Sequence, residues 1–234
     1  MLSKRLFPTT SPTPHIPYSI AKYDYFNHKR TYLAVCCVVR NSNTDGLNPP
    51  IREWIEYHRK LGIEKFYLFD ENSTVPVLDH IIDYVRADLV DYVFVAPNRK
   101  PFTRYVIYKS CISRFGERHK WMAFLDADEF IVVKEPNVKI PTVLGKFEAF
   151  GGLSLNWMLI GTSDPSSSID TVDGSGRSAV SNYHKCRPTN VIRTIINLNH
   201  TLGIKWNPFS FIYAPGYSLY RFTLLYFLWL YHNS

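Results

Sequence analysis

Residues 121–125 form an uninterrupted apolar stretch, and acidic side chains follow at once at Asp126, Asp128 and Glu129. A run of aromatic and apolar residues of this kind is typical of a central strand in a parallel sheet, covered on both faces. Carboxylates at the end of such a strand are costly to remove from water. They persist mainly where a cation or a basic side chain neutralises them.

The spacing of the two aspartates indicates a shared ligand. Side chains separated by one residue leave a strand on the same face, so Asp126 and Asp128 could bind one divalent cation. In open α/β sheets, ligands bind at the carboxyl ends of the strands, which is where both aspartates would lie. A solvated acidic loop is the alternative, and this short tripeptide alone does not decide between the two.

The sequence before this stretch alternates between strand and helix patterns. Two of the predicted strands end in polar residues, Arg40 after the first and Asp70 after the second. Alternation at this spacing predicts right-handed βαβ units and an α/β fold of Rossmann-like type, with a mostly parallel sheet flanked by helices. The predicted strands are residues 31–39, 65–69, 89–96 and 121–126, and the predicted helices are residues 51–62, 77–85 and 102–115.

Several of these stretches together resemble glycosyltransferase family 92, a family 2-like group. The resemblance implies a GT-A fold over residues 31–200, in which a nucleotide-sugar half is followed by a less regular acceptor-binding part. Residues 1–30, rich in proline, serine and threonine, are interpreted as a linker, and residues 201–234 as an uncertain C-terminal tail. The matching stretches are residues 38–41, 53–63, 66–73 and 121–130, with further, weaker matches at residues 156–163 and 191–197.

The resemblance also implies roles for individual residues. Asp128 would bind Mn²⁺ or Mg²⁺, and Asp126 would hold the ribose or, through water, the same metal ion. Asp70 would contact the base or the ribose, and Arg40 would line the nucleotide pocket. Glu129 would either support the metal site or tie the strand end to a nearby basic side chain, and the second interpretation is favoured.

Membership of this family would imply transfer of a sugar from a UDP- or GDP-sugar to a glycan hydroxyl, by a single inverting displacement. Such a reaction needs a carboxylate base within reach of the acceptor hydroxyl. The candidates are Asp164, Asp170 and Asp173, and Asp164 directly follows one of the matching stretches. The composition of residues 164–168 is also typical of a simple turn, which is the favoured interpretation of that segment.

Departures from the family pattern leave other functions open. Enzymes of this type often complete the metal site with a later histidine. Here Phe209 stands where that histidine is expected, and neither His184 nor His200 lies in a clear motif. A truncated nucleotide-sugar-binding protein without transferase activity is therefore the main alternative. A nucleotidyltransferase is disfavoured, because the loop after the first strand, residues 41–50, contains a single glycine.

The net charge of the chain indicates which classes of partner it could bind. The net charge of +7 at pH 7 suits an anionic ligand such as a nucleotide diphosphate, and it leaves association with a membrane surface open. Nucleic acid is disfavoured, because the basic residues are scattered among acidic ones and no nucleic-acid-binding module is recognisable. No apolar signal region follows Lys4-Arg5, so a location in the secretory pathway, at the Golgi membrane, is implied by the resemblance alone.

Two further expectations concern the cysteines and the end of the chain. The four cysteines show no metal-binding spacing, and buried thiols are predicted rather than disulfides. Residues 217–231 are dense in aromatic residues and leucine, but too short and interrupted for a transmembrane helix of about 20 residues. They could form a terminal core element, a membrane-surface segment or an aberrant end. The last is favoured, because neither a helix cap nor strand alternation is visible.

Overall fold

The computed structural model describes residues 30–41, 50–95, 103–161, 185–205, 207 and 209–230. Its strands are β1 (Thr31–Val39), β2 (Lys65–Glu71), β3 (Val90–Val95), β4 (His119–Asp126), β5 (Glu129–Val133), β6 (Gly152–Gly161), β7 (Lys185–Asn197), β8 (Thr201–Ile204), β9 (Phe211–Tyr213) and β10 (Leu219–Leu230). The α-helices are α1 (Ile51–Lys60), α2 (Ile82–Arg86), α3 (Thr103–Phe115) and α4 (Ile140–Leu144), and short 3₁₀ turns occur at Val77–His80, Gly116–Arg118 and Gly145–Phe147.

One eight-stranded sheet organises the molecule, in the order β3-β2-β1-β4-β7-β6-β10-β5. The first four of these strands are mutually parallel. Strand β7 runs antiparallel to both β4 and β6, and β8 and β9 form a separate two-stranded sheet. The predicted fold class, a mixed α/β fold with a mostly parallel central sheet flanked by helices, is confirmed.

The central strands bury both faces, which explains their continuous apolar sequence. Along β1, alternate side chains enter two separate core clusters, as the period of two in a strand requires. One cluster packs β1 against α1 and α4, and the other packs it against α3 and the β8–β9 sheet. The first cluster contains Leu33, Val35, Cys37 and Val39, and the second contains Ala34, Cys36 and Val38.

Helix α1 is tied to β5 by a buried histidine. His58 Nδ1–H donates to the Trp54 carbonyl at 2.8 Å, and Nε2 accepts the Ile131 backbone N–H at 3.2 Å. Gly62 follows the helix with a φ of +100°, a conformation that favours glycine, and a Cβ at this position would lie 2.8 Å from the Pro141 ring. Helix α1 ends at Lys60, two residues before this glycine and before the predicted end at residue 62.

Residues 219–230 of the C-terminal aromatic segment form a strand of the sheet, which favours the terminal core element over the aberrant end that was predicted. Strand β10 lies between β6 and β5 and pairs with both. An inner strand can be apolar on both faces, and it therefore needs no alternation of apolar and polar residues. Within the described part of the chain, none of the helices has both the length and the apolar composition needed to cross a membrane.

The prediction of buried thiols was wrong for two cysteines. Cys36 of β1 and Cys111 of α3 form a disulfide across 6.3 Å between their Cα atoms, 75 residues apart in sequence. Both belong to the same core cluster, whereas Cys37 points to the opposite face and keeps a buried thiol. Burial, followed by the charge of Asp126, raises the pKa of that thiol. The pairing depends on where α3 packs on the sheet, which cysteine spacing does not reveal.

We expect the Cys36→Ala/Cys111→Ala double variant to lose about 2–4 kcal/mol of unfolding free energy, because a long loop of the unfolded chain is no longer closed. Urea denaturation with and without a thiol reductant measures this loss. The reductant should lower the midpoint of the wild type and leave that of the double variant unchanged. Equal wild-type midpoints in both conditions would show that the bridge contributes nothing.

Two buried histidines should make stability depend on pH. Burial lowers the pKa of His58 to about 3, and burial together with Lys65 and Arg118 does the same for His119. His119 lies 2.6 Å from both the Thr31 and the Tyr67 hydroxyl oxygens. Between the unfolded-state pKa of about 6.5 and pH 3, the unfolded chain binds protons that the folded chain does not. Stability conferred by each histidine is therefore lost as the pH falls through that window.

The His119→Gln variant should show a pH slope smaller by about 1.4 kcal/mol per unit than the wild type between pH 6 and 4. Denaturation at several pH values measures both slopes. The raised pKa of Asp126 contributes a pH slope of the opposite sign. This contribution is the same in both proteins and therefore cancels when their slopes are compared. Parallel slopes would refute the prediction.

Candidate active site

The two aspartates lie at the carboxyl edge of the parallel strands. Asp126 is the last residue of β4, where it pairs with Val38 of β1, and Asp128 lies in the two-residue turn before β5. The Asp126 side chain is 18% exposed, and Asp128 is partly buried. Both predicted metal ligands therefore lie at the short connection between β4 and β5.

Glu129 holds this turn in place through a buried ion pair. Its carboxylate is fully buried and binds the Arg193 guanidinium through Nε at 2.9 Å and Nη2 at 2.5 Å. Its Oε2 also accepts the Asp126 backbone N–H at 3.1 Å. Burial raises the pKa of Glu129, and the pair with Arg193 opposes that rise. Glu129 thus binds a basic side chain, as the favoured interpretation predicted, and its bond to the Asp126 N–H leaves support of the metal site open as well.

The carboxylate of Asp126 is only partly neutralised. Arg104 Nη2 lies 3.0 Å from Oδ1 as an ion pair, but outside hydrogen-bonding geometry, so this buried oxygen accepts no hydrogen bond from the described residues. Arg193 Nη2 lies 4.0 Å from Oδ2. Burial and the neighbouring Glu129 raise the pKa of Asp126 to about 7, although Arg104 opposes the rise. Additional positive charge at this position would stabilise the carboxylate.

The residues present fit a divalent metal ion. Carboxylate oxygens are ligands of Mg²⁺ and Mn²⁺, and Mg²⁺ is commonly held by one or two carboxylates together with substrate phosphates and water. Asp126 and Asp128 supply such a pair, and Asp126 Oδ1, although ion-paired with Arg104, accepts no hydrogen bond from the described residues. The described residues contain no group of three or more His, Cys, Asp and Glu side chains that could hold the ion alone.

No histidine among the described residues completes the pair. Phe209, at the position expected for one, packs its ring 3.7 Å from the guanidinium carbon of Arg193. His200 instead stacks on Tyr217 at 3.7 Å between ring centroids. His184 lies outside the described residues, as does the candidate base Asp164. The prediction for Asp164 therefore stays a prediction.

Asp70 organises the loop that follows β2. The side chain is fully buried, and its two oxygens accept the backbone N–H groups of Ser73 and Val77 and the Tyr92 hydroxyl, at 2.8–3.2 Å. These bonds favour an indirect role through the loop, and a contact of Asp70 with the base or ribose stays a prediction. Arg40 is exposed at the adjacent strand end, where Nε donates to the Glu71 carbonyl at 3.2 Å.

Sequence reasoning missed the two arginines that flank the aspartates. Arg193 is the one charged residue in the stretch 191–196, whose other members are Val, Ile and Thr, and it is only 5% exposed. That contrast was a usable signal for a buried ion pair. Arg104 in the first turn of α3 could equally have faced solvent, and only the packing of α3 brings it to Asp126.

The chain is thus an α/β protein with a mostly parallel sheet flanked by helices, and it carries an Asp-x-Asp sequence at the carboxyl end of β4. Residues 35–222 match the sequence profile of glycosyltransferase family 92, and the chain belongs to that family. The matched range includes the whole described site. The predicted domain limits at residues 30 and 200 stay predictions.

Relatives from plants match about half of the chain. A glycosyltransferase family 92 protein of Oryza sativa subsp. japonica is 26% identical over 126 residues, which are 53% of this chain and 20% of the relative. Another from Arabidopsis thaliana is 30% identical over 114 residues, 48% of this chain and 18% of the relative. The matched region thus spans about a fifth of the length of these relatives.

Solved structures of S. aureus TarS show a distant likeness. The crystal structure of TarS covers 86% of this chain and 37% of that protein, with 15% identity and a TM-score of 0.48. A TarS structure in complex with UDP covers 70% of this chain and 47% of that one, with 15% identity and a TM-score of 0.40.

Proposed function

We propose that this chain is the catalytic part of a metal-dependent glycosyltransferase, which moves a sugar from a UDP- or GDP-sugar to a glycan hydroxyl with inversion. The observation that supports it most is the turn carrying Asp126 and Asp128 at the carboxyl edge of the sheet, where the buried Asp126 Oδ1 is ion-paired with Arg104 but accepts no hydrogen bond from the described residues. Family membership supports the reaction class.

The residues of the turn have distinct tasks in this proposal. Asp126 and Asp128 would hold Mn²⁺ or Mg²⁺ together with the donor diphosphate. The bound cation would act as a Lewis acid for the negative charge that develops on the leaving diphosphate. Arg104, whose side chain is 42% exposed, would add positive charge on the same side.

Two other strand ends would border the nucleoside. Asp70 fixes the loop after β2, and Arg40 lies beside that loop at the end of β1. We assign them to the base and ribose side of the donor, with Asp70 acting through the loop. Asp164 is the first candidate for the base that deprotonates the acceptor hydroxyl.

Calorimetric titration of UDP and GDP, with and without Mn²⁺, tests the donor site. Wild-type binding should require the metal, and Asp128→Ala should abolish it. Glu117→Ala should leave binding unchanged, because Glu117 is exposed in the 3₁₀ turn before β4, at the opposite end of that strand from Asp126. No nucleotide binding under any condition would refute the proposal.

A nucleotide-sugar-binding protein without transferase activity is the second candidate. The observation that favours it is Phe209, which packs on Arg193 where a metal-binding histidine was expected. Metal-dependent nucleotide binding without any transfer or hydrolysis of UDP- or GDP-sugars would support this candidate against the enzyme.

We also propose a location in the secretory pathway, at the Golgi membrane. Disulfides persist in oxidising compartments and are rare in the cytosol. The Cys36–Cys111 bridge therefore supports the secretory pathway. Microscopy of a tagged full-length chain tests it, and a cytosolic signal would refute it.

A further inference from the structure

We propose that Arg193 is a positioning residue, which sets the geometry of the turn carrying Asp126 and Asp128 without contacting the donor itself. It acts through Glu129, the residue that follows Asp128 in the chain. This inference rests on the proposed function, because it concerns how that donor site is held.

The first step is the link from Arg193 to the turn. Arg193 binds both oxygens of Glu129, at 2.9 and 3.1 Å from Nε, and this fixes the plane of the carboxylate. Glu129 Oε2 in turn accepts the Asp126 backbone N–H. The hydrogen bond joins the two ends of the turn, so a rotation of the Glu129 side chain would release Asp126 and Asp128 together.

The second step is the rigidity of Arg193 itself. It lies on β7, paired with Leu155 of β6, and it is 5% exposed. The guanidinium carbon lies 3.7 Å from the centroid of the Phe209 ring and 5.0 Å from that of Trp157. A group held this firmly transmits its position to the carboxylate it binds, as supporting residues around metal ligands do.

The third step is that Arg193 leaves Asp126 available. Its closest approach to the Asp126 carboxylate is 4.0 Å, at Oδ2, whereas it reaches Glu129 at 2.5 Å. Its short, charge-assisted bonds are therefore made to Glu129. Arg193 can orient the turn without occupying the oxygens that would bind a cation.

If the Arg193–Glu129 pair were purely structural, a different result would be expected when both charges are removed. Replacement of a buried pair by apolar residues of similar size is often neutral for stability, whereas removal of one partner is strongly destabilising. If Arg193 only compensates the charge of Glu129, a folded variant lacking both charges should bind Mn²⁺ and UDP as the wild type does. If Arg193 positions the turn, that variant should fold but bind poorly.

The test compares Arg193→Met/Glu129→Gln with the wild type by calorimetric titration of UDP in the presence of Mn²⁺. This variant lacks both charges, but the amide oxygen at position 129 can still accept the Asp126 N–H, so that only the fixed orientation by Arg193 is lost. We expect a folded variant whose affinity is about 10- to 100-fold weaker, the range found when residues supporting metal ligands are removed. Hydrogen exchange at the Asp126 amide should be faster in the variant, and this readout needs no bound metal. Arg193→Lys keeps the charge but not the two-pronged bond, so it should retain part of the affinity.

Arg52→Met is the matched control. Arg52 also binds a carboxylate through two nitrogens, at 2.7 and 2.9 Å from Asp83, but its side chain is 47% exposed on α1. The Arg52→Met variant should bind UDP with the wild-type affinity. If the folded double variant bound UDP with wild-type affinity, the positioning role of Arg193 would be refuted while the proposed function would stand. Absence of binding by the wild type would refute the proposed function, and the role of Arg193 in it.

Discussion

Replacement of Asp128 by alanine or asparagine is expected to reduce sugar transfer on the order of a thousand-fold, while the chain stays folded. The turn would lose one of the two proposed metal ligands. Under the proposed function the cation stabilises the leaving diphosphate, an effect worth several kcal/mol in enzymes of this kind, at about 1.4 kcal/mol per tenfold in rate. Asp128 is partly buried and follows the end of β4, so the core is left intact.

Release of nucleoside diphosphate from a panel of UDP- and GDP-sugars, with glycan acceptors present, measures this effect. Glu117→Ala serves as the control, since it removes an exposed carboxylate at the opposite end of β4. A rate for Asp128→Asn within a few-fold of the wild type would show that the turn does not act on the leaving group.

The parallel half of the fold could be predicted because its signals are local. Each of the strands β1 to β4 is buried on both faces, and helices or helical turns separate them, so apolar runs and amphipathic stretches locate them directly. The Asp-x-Asp turn could be found for the same reason, since its acids interrupt such a run. The helix predicted over residues 77–85 instead divides into a 3₁₀ turn and α2 at Ile81.

The remaining features depend on contacts between distant residues. The Cys36–Cys111 bridge requires knowing which face of β1 meets α3, and the Glu129–Arg193 pair requires knowing that β7 lies next to β4. Strand β10 is inserted between β6 and β5, far from both in the chain. Such pairings are set by the sheet as a whole, and no local pattern specifies them.

The substitution Trp54→Ala should lower the free energy of unfolding by about 3–5 kcal/mol, the usual cost of deleting a large buried side chain. Trp54 is fully buried, with its ring centroid 4.4 Å from His58 and 5.9 Å from Phe66. Its Nε1–H also donates to the Glu129 carbonyl at 2.7 Å. The alanine would leave both a cavity and an unsatisfied carbonyl beneath the turn that carries the aspartates.

Trp54→Phe separates the two contributions, because it keeps most of the ring volume and removes the hydrogen bond. Its loss should be smaller, about 1–3 kcal/mol, the cost of leaving a buried acceptor unpaired. Urea denaturation measures both variants, and Val106→Ala, at a side chain that is 59% exposed, should change stability by less than about 0.5 kcal/mol. If Trp54→Ala were no more destabilising than Val106→Ala, α1 would not be part of the core that supports the site.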